Sequence, residues 1–94
     1  MLKTLEDLIK IIRERKSLQD DSSYTSKLLK DKSLSLEKVK EEISELIEAV
    51  ENNSNKVHEA ADVLYHLLVY LEGNGVRIED IMDELEKRKK KKES

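Results

Sequence analysis

The sequence predicts an all-α protein, a compact helical bundle of four to five helices. Three observations support this class. The 94 residues include no proline and only two glycines, which leaves little to interrupt a helix. Charged residues make up 41% of the chain, Leu, Lys and Glu are abundant, and Phe and Trp are absent. This length suits one small domain, so we expect a single domain over residues 1–86 and a basic, flexible tail over residues 87–94.

The composition also argues against several classes of protein. The chain has no cysteine, which excludes a disulfide framework and a thiolate metal site. It has no apolar run near the roughly 18 residues of a membrane span, and Glu6 makes the start unlike a signal peptide. The formal charge of −3 does not favour an anionic partner. We therefore expect a cytoplasmic protein that binds neither nucleic acid nor membranes.

The first two helices are predicted to be short and separated by a polar loop. Four apolar residues recur at helical spacing: Leu5, Leu8, Ile9 and Ile12. They predict helix 1 over about residues 5–16, and the polar residues 17–23 predict a loop. Ser23 can cap a second helix over residues 24–30, and turn or cap chemistry is the commoner role for such hydroxyls. The alternative is that Ser23 and Thr25 contact a phosphate.

Helix 3 is predicted over residues 36–50, and its glutamates divide into two sets. Its apolar stripe, expected to face the core, has six members: Leu36, Val39, Ile43, Leu46, Ile47 and Val50. On a helical wheel Glu42 and Glu45 border this stripe, on the same face as Lys38. The other glutamates, Glu41 among them, point further away, as expected of a solvated face.

The polar residues 51–55 predict that helices 3 and 4 form an antiparallel hairpin. Helix 4, over residues 56–72, is apolar on most sides, which predicts burial. Its main stripe has seven members: Val57, Ala60, Ala61, Leu64, Leu67, Leu68 and Leu71. Glu59, Asp62 and His66 share another face, which the hairpin can bring against the acidic face of helix 3. We interpret His66 as a hydrogen-bonded packing residue, since that role is commoner there than metal ligation.

Two glycines end helix 4, and a fifth helix follows. Its apolar residues are Ile78, Ile81, Met82 and Leu85. The apolar pattern stops after Glu86, so we expect the helix to end there. The basic run 87–92 is interpreted as a solvated tail, with assistance in phosphate attraction as the alternative.

The acidic pairs Glu42-x-x-Glu45 and Glu59-x-x-Asp62 suggest a metal site, because residues three apart are neighbours on a helix. Carboxylates about 4 Å apart repel by roughly 4 kcal/mol at an effective dielectric near 20. Without a cation, some of them would have to take up protons. Oxygen ligands favour Mg²⁺ or Mn²⁺, which suits cleavage of a nucleoside polyphosphate. The alternative is a non-enzymatic helical interaction module with solvated acids.

Three segments carry a resemblance to a known family. They are residues 22–29 (SSYTSKLL), residues 38–45 (KVKEEISE) and residues 59–69 (EAADVLYHLLV). The sequence resembles the phosphoribosyl-ATP pyrophosphatases of histidine biosynthesis, which are MazG-type all-α nucleotide pyrophosphatases. The resemblance covers about residues 4–89. The acidic motif identifies only the superfamily, and the first and third segments point to this member.

The resemblance implies Mg²⁺-dependent hydrolysis of phosphoribosyl-ATP to phosphoribosyl-AMP and pyrophosphate by a MazG-like homodimer. It implies that four carboxylates hold the metal: Glu42, Glu45, Glu59 and Asp62. It implies a catalytic role for Glu41, in orienting water, beside Glu42. Four residues would contact the substrate: Ser23, Thr25, Lys27 and Lys38. A housekeeping nucleoside triphosphate pyrophosphatase is the alternative within the same chemistry.

Overall fold

A computed structural model of the chain describes residues 2–18 and 22–93, with the side chains of residues 92 and 93 left out. Over these ranges the chain forms helices and no strand, which confirms the all-α fold. The five helices are α1 (Lys3–Leu18), α2 (Tyr24–Lys30), α3 (Lys32–Asn52), α4 (Lys56–Gly73) and α5 (Ile78–Glu93). None of these described helices is both long enough and apolar enough to cross a membrane. Part of the predicted loop, residues 19–21, lies outside the described residues.

Side-chain caps define the start of α2 and of α3. The Ser23 hydroxyl accepts a hydrogen bond from the backbone N–H of Ser26 at 3.1 Å, which confirms the predicted cap. Asp31 ends α2 and caps α3, where its carboxylate accepts from the N–H of Leu34 at 3.0 Å. Because one residue performs both tasks, α3 begins four residues before its predicted start.

The antiparallel hairpin of α3 and α4 is the largest packing unit, as predicted, and α2 packs against both helices. Asn53 and Asn55 turn the chain between them with φ of 53° and 54°, a left-handed conformation that Asn tolerates better than most residues. The apolar core lies where α1 and α2 cover α4. Its buried side chains are Ile9, Ile12, Leu28, Leu68 and Val69.

Arg13 ties α1 to the end of α4 and the start of α5. Its Nε donates to Oε1 of Glu72 at 2.9 Å, so the buried Glu72 carboxylate is paired. Its two Nη atoms donate to the two carboxylate oxygens of Glu79 at 2.8 and 2.6 Å. Such bidentate, charge-assisted pairs are among the stronger hydrogen bonds in proteins. The hydrogen bonds from Arg13 lower the pKa of Glu79 to about 2, and the hydrogen bond from the backbone N–H of Glu79 itself is the next largest cause.

The prediction that the apolar stripe of helix 3 faces the core is wrong for most of its residues. Val39 is buried, but four members are 36–57% exposed: Leu36, Ile43, Ile47 and Val50. On α4, Val57 and Leu64 are likewise exposed, whereas His66 and Val69 are buried. The hairpin buries the faces that carry acids and small residues, because those faces meet α2 and the neighbouring helix. Most of the α3 stripe, together with Val57 and Leu64 of the α4 stripe, is left on the outside of this chain.

Helix α5 continues through the basic run to Glu93, so its predicted end at Glu86 is wrong. Residues 87–91 are exposed, and Nε of Arg88 donates to the carboxylate of Glu84 at 3.0 Å. Ion pairs four residues apart support an exposed helix of this kind. The division into a domain over residues 1–86 and a flexible tail over residues 87–94 stays a prediction.

Candidate metal and substrate site

The hairpin brings the two predicted acidic faces against each other. Glu42 is only 9% exposed, and Glu59 and Asp62 are half-buried. Burial is the largest cause of the raised pKa of Glu42. The hydrogen bond and the charge of Glu45 raise it further, and the charge of Asp62 adds a smaller effect. Burial also raises the pKa of Glu59, with the charge of Glu45 as the next cause. Glu45 therefore lies near carboxylates on both helices, and the four acids make one candidate site.

Two groups of possible metal ligands lie within this site. In the first, Glu41, Glu42 and Glu45 each offer a carboxylate oxygen, and these atoms lie within 4.8 Å of one another. In the second, His58, Glu59 and Asp62 offer ligand atoms within the same limit. All four predicted metal ligands belong to these groups. Their role as ligands stays a prediction.

One carboxylate oxygen of Glu42 and one of Glu59 are buried without a hydrogen-bond partner among the described residues. A buried carboxylate oxygen without a partner costs free energy, and the charged form costs more. A divalent cation held by these carboxylates would offset their negative charge and relieve the repulsion. The carboxylate oxygens present are the donor type that Mg²⁺ and Mn²⁺ prefer, so the residues fit the expected metal.

Glu41 lies closer to this site than the helical wheel suggested. The wheel turned it away from Glu42, but its long side chain brings a carboxylate oxygen within 4.8 Å of those of Glu42 and Glu45. Its Oε2 also accepts from Nζ of Lys38 at 3.4 Å, which raises the pKa of Lys38. Glu41 and Lys38 thus form an exposed ion pair at the edge of the acidic cluster.

The predicted substrate-binding residues of the second segment have different surroundings. The Ser23 hydroxyl caps α2 and donates to the Ser26 hydroxyl at 2.8 Å, so cap chemistry accounts for it. The Thr25 hydroxyl is hydrogen-bonded to the hydroxyl of Tyr65 on α4. Lys27 is exposed. The structure brings Lys38 to the acidic cluster, and substrate binding by these four residues stays a prediction.

Two residues of possible functional importance, His58 and Tyr24, were not predicted from the sequence. His58 lies four residues before Asp62, with its Nε2 3.4 Å from an Asp62 carboxylate oxygen, and that spacing was a usable signal. Tyr24 contacts His66, 42 residues along the chain, through a 2.9 Å hydrogen bond that no local pattern predicts. His66 is buried and hydrogen-bonded through both ring nitrogens, in agreement with its interpretation as a packing residue.

Comparison with known proteins shows similarity over nearly the whole chain. The family model described as phosphoribosyl-ATP pyrophosphohydrolase matches residues 5–89. A phosphoribosyl-ATP pyrophosphatase of Methylobacterium nodulans is 46% identical over 88 residues, which cover 90% of this chain and 82% of the relative. The enzyme of that name from Methanoculleus marisnigri is 43% identical over 91 residues, covering 92% and 94%. The histidine biosynthesis bifunctional protein HisIE of Thermotoga maritima is 41% identical over 87 residues, 44% of its own length.

Proposed function

The chain belongs to the phosphoribosyl-ATP pyrophosphohydrolase family, and we propose that it hydrolyses phosphoribosyl-ATP to phosphoribosyl-AMP and pyrophosphate in histidine biosynthesis. One water is consumed, and the bond between the α- and β-phosphates breaks, because the products are a monophosphate and pyrophosphate. We expect this reaction in the cytoplasm. The observation that carries the proposed chemistry is that Glu42 and Glu59, on two facing helices, each bury a carboxylate oxygen that has no hydrogen-bond partner among the described residues.

The proposed site uses Mg²⁺, with Mn²⁺ as a substitute, held by the carboxylates of Glu42, Glu45, Glu59 and Asp62. When bound, the ion would neutralise phosphate charge and polarise a phosphoryl oxygen. Glu41, at the solvent edge of this cluster, accepts a hydrogen bond from the attacking water and so orients it. Glu42 supports the same role from inside the cluster, where its negative charge favours proton removal from water.

Positive groups at the edge of the cluster bind the substrate. Lys38 lies beside the carboxylates, and its ammonium group offsets the charge of an arriving phosphate. Lys27 is exposed on α2 and serves the same purpose. The Ser23 hydroxyl donates to the Ser26 hydroxyl and accepts from the Ser26 N–H, so its remaining lone pair can accept from a ribose hydroxyl. The Thr25 hydroxyl makes one internal hydrogen bond, to Tyr65, and keeps capacity for a phosphate or ribose.

The same proposal includes a homodimer. The exposed side chains of Ile43, Ile47 and Val50 on α3, and of Val57 and Leu64 on α4, are unusual on the surface of a small monomer. A chain of 94 residues buries a modest fraction of its own surface, so association through these helices adds stability. We therefore expect two copies to pair through the exposed apolar sides of their hairpins.

The experiment compares phosphoribosyl-ATP with a panel of ordinary and modified NTPs and dNTPs in Mg²⁺. We expect pyrophosphate release to be fastest from phosphoribosyl-ATP and to be abolished by EDTA. Faster cleavage of a dNTP would contradict the substrate and favour a housekeeping pyrophosphatase.

Two variants test the carboxylates directly. Glu45→Gln and Asp62→Asn remove one charge each, and we expect a loss of at least about 100-fold in kcat at unchanged helical content. Glu37→Gln is the matched control and should keep full activity. Glu37 is exposed on α3, the helix of Glu45, and lies outside the two groups of possible ligands. Full activity in both site variants would refute the metal assignment, and inactive wild type would favour a non-enzymatic helical module.

A further inference from the structure

Two adjacent polar contacts join the short helix α2 to α4. The Tyr24 hydroxyl lies 2.9 Å from Nε2 of His66. The next side chain of α2, that of Thr25, is hydrogen-bonded through its hydroxyl to the Tyr65 hydroxyl. The rings of Tyr24 and Tyr65 also stack, with centroids 6.3 Å apart. Consecutive residues of α2 thus pair with consecutive residues of α4, and we name these four side chains the α2 latch.

The orientation of the His66 ring determines the direction of the first contact. Its Nδ1 donates to the backbone carbonyl of Asp62 at 2.8 Å. In the neutral ring Nε2 is then an acceptor, and the Tyr24 hydroxyl donates to it. The ring is 7% exposed and packs edge-on against Tyr65 with centroids 5.0 Å apart. The acceptor is therefore held in place by α4 itself.

Helix α2 has few other means of holding its position. It contains seven residues, and only Ser26 and Leu28 among them are buried. An isolated helix this short is unstable in water, so tertiary contacts must hold it. Leu28 belongs to the core near the end of α2, whereas the latch acts on its first turn. Removing the latch would leave the first turn anchored mainly by the Ser23 cap, which is local to α2.

The latch lies beside the acidic cluster. The electrostatic environment of the Tyr24 hydroxyl includes Lys38, Glu41 and Glu42: burial raises its pKa, Lys38 lowers it, and the carboxylates raise it further. Asp62, which supplies the carbonyl that orients His66, is a proposed metal ligand. The Tyr24 ring is 46% exposed, so one part of it is packed on Tyr65 and His66 of α4 and another part faces solvent.

We propose that the α2 latch is a positioning device, which holds the first turn of α2 as a fixed wall of the substrate site. This inference rests on the proposed function and names positioning residues for it. Tyr24 acts through its hydrogen bond to His66, and no proton transfer by either group is required. Without that bond the first turn of α2 can move relative to α4. Substrate binding must then also fix the position of this turn, which costs binding free energy. The effect is expected on KM, because the metal-binding carboxylates are unchanged.

The test removes one hydroxyl and keeps the ring. Tyr24→Phe should raise KM for phosphoribosyl-ATP about three- to tenfold, the range set by the net free energy of one hydrogen bond. We expect kcat and the Mg²⁺ concentration for half-activation to stay within about twofold. Amide hydrogen exchange in residues 22–30 should accelerate, while α3 and the first half of α4 keep their protection.

A second variant and a control make the outcome decisive. Tyr65→Phe removes the other contact and should also raise KM and speed exchange in α2. Tyr70→Phe deletes a hydroxyl from the same helix outside the latch and should change neither quantity. An unchanged KM in both latch variants would overturn the positioning role, even if α2 exchanged faster. A fall in kcat with unchanged KM, in proportion to the unfolded fraction, would show that the latch only stabilises the fold.

The proposed function and the latch fail in different experiments. If wild type does not cleave phosphoribosyl-ATP, the proposed function fails, and KM is compared on whichever nucleoside polyphosphate it cleaves fastest. The hydrogen-exchange comparison needs no substrate. Unchanged exchange in residues 22–30 of Tyr24→Phe would overturn the latch whatever the substrate.

Discussion

Replacement of Glu42 by Gln should stabilise the metal-free protein and weaken its response to Mg²⁺. Glu42 is buried, one of its oxygens has no partner among the described residues, and a carboxylate oxygen lies within 4.8 Å of one from Glu45. At that separation two unit charges repel by roughly 0.9 kcal/mol at the dielectric constant of water and roughly 3.5 kcal/mol at an effective value near 20. Because Glu45 is exposed, the lower end applies.

We therefore expect Glu42→Gln to raise the free energy of unfolding in EDTA by about 1 kcal/mol, or Tm by roughly 4–8 °C for a domain of this size. Wild type should gain about 2.7 kcal/mol when Mg²⁺ reaches 100 times its Kd. The variant, which lacks one ligand, should gain much less at the same concentration. Thermal unfolding followed by circular dichroism, with and without Mg²⁺, measures both effects.

The control is Glu37→Gln, which removes a charge from an exposed position of the same helix. It should leave both the Tm in EDTA and the Mg²⁺ response close to wild type. Protein concentration must be equal throughout, because any association of copies would make Tm depend on it. A lower Tm for Glu42→Gln in EDTA would refute the electrostatic reasoning, and an equal Mg²⁺ response in both proteins would refute Glu42 as a ligand.

Three further predictions concern the rest of the fold. The pKa of Glu79 is about 2 when folded, against an ordinary value of 4.5 for a Glu carboxyl, so its contribution to stability is present above pH 4.5 and lost as pH falls towards 2. Glu79→Gln should flatten that part of the pH–stability curve in urea denaturation. Asp31→Ala should lower the free energy of unfolding by about 1 kcal/mol through loss of the α3 cap, whereas Asp31→Asn should largely keep it; equal losses would contradict the cap. Ile47→Asp should convert a dimer to monomers in light-scattering chromatography, and an unchanged mass would place the interface elsewhere.

Local patterns in the sequence predicted several features whose determining contacts are local. The bounds of α2 follow from the Ser23 cap, three residues from its partner Ser26, and both bounds match the prediction. The acidic pairs were recognisable because ligands three residues apart share one helix face. The family was recognisable from three contiguous segments, and the match over residues 5–89 confirms it.

Tertiary structure decided which face of each helix is buried. Helical periodicity identified the stripe containing Ile43 and Ile47, but the same pattern fits a core or an interface with another chain, and here these residues are exposed. The hairpin buried Glu42 instead, and within the described part of the chain one of its carboxylate oxygens has no hydrogen-bond partner.

Contacts between residues far apart in the sequence were also decided by the tertiary structure. Neither the Arg13 pairing with Glu79 nor the bond between Tyr24 and His66 has a sequence signal, because the partners lie 66 and 42 residues apart. The sequence alone therefore determined the five described helices, the Ser23 cap and the acidic pairs that are candidate ligands. Only the packing of α2 and α3 against α4 decided which carboxylates lose water, and that loss of water is the physical reason a metal ion would stabilise them.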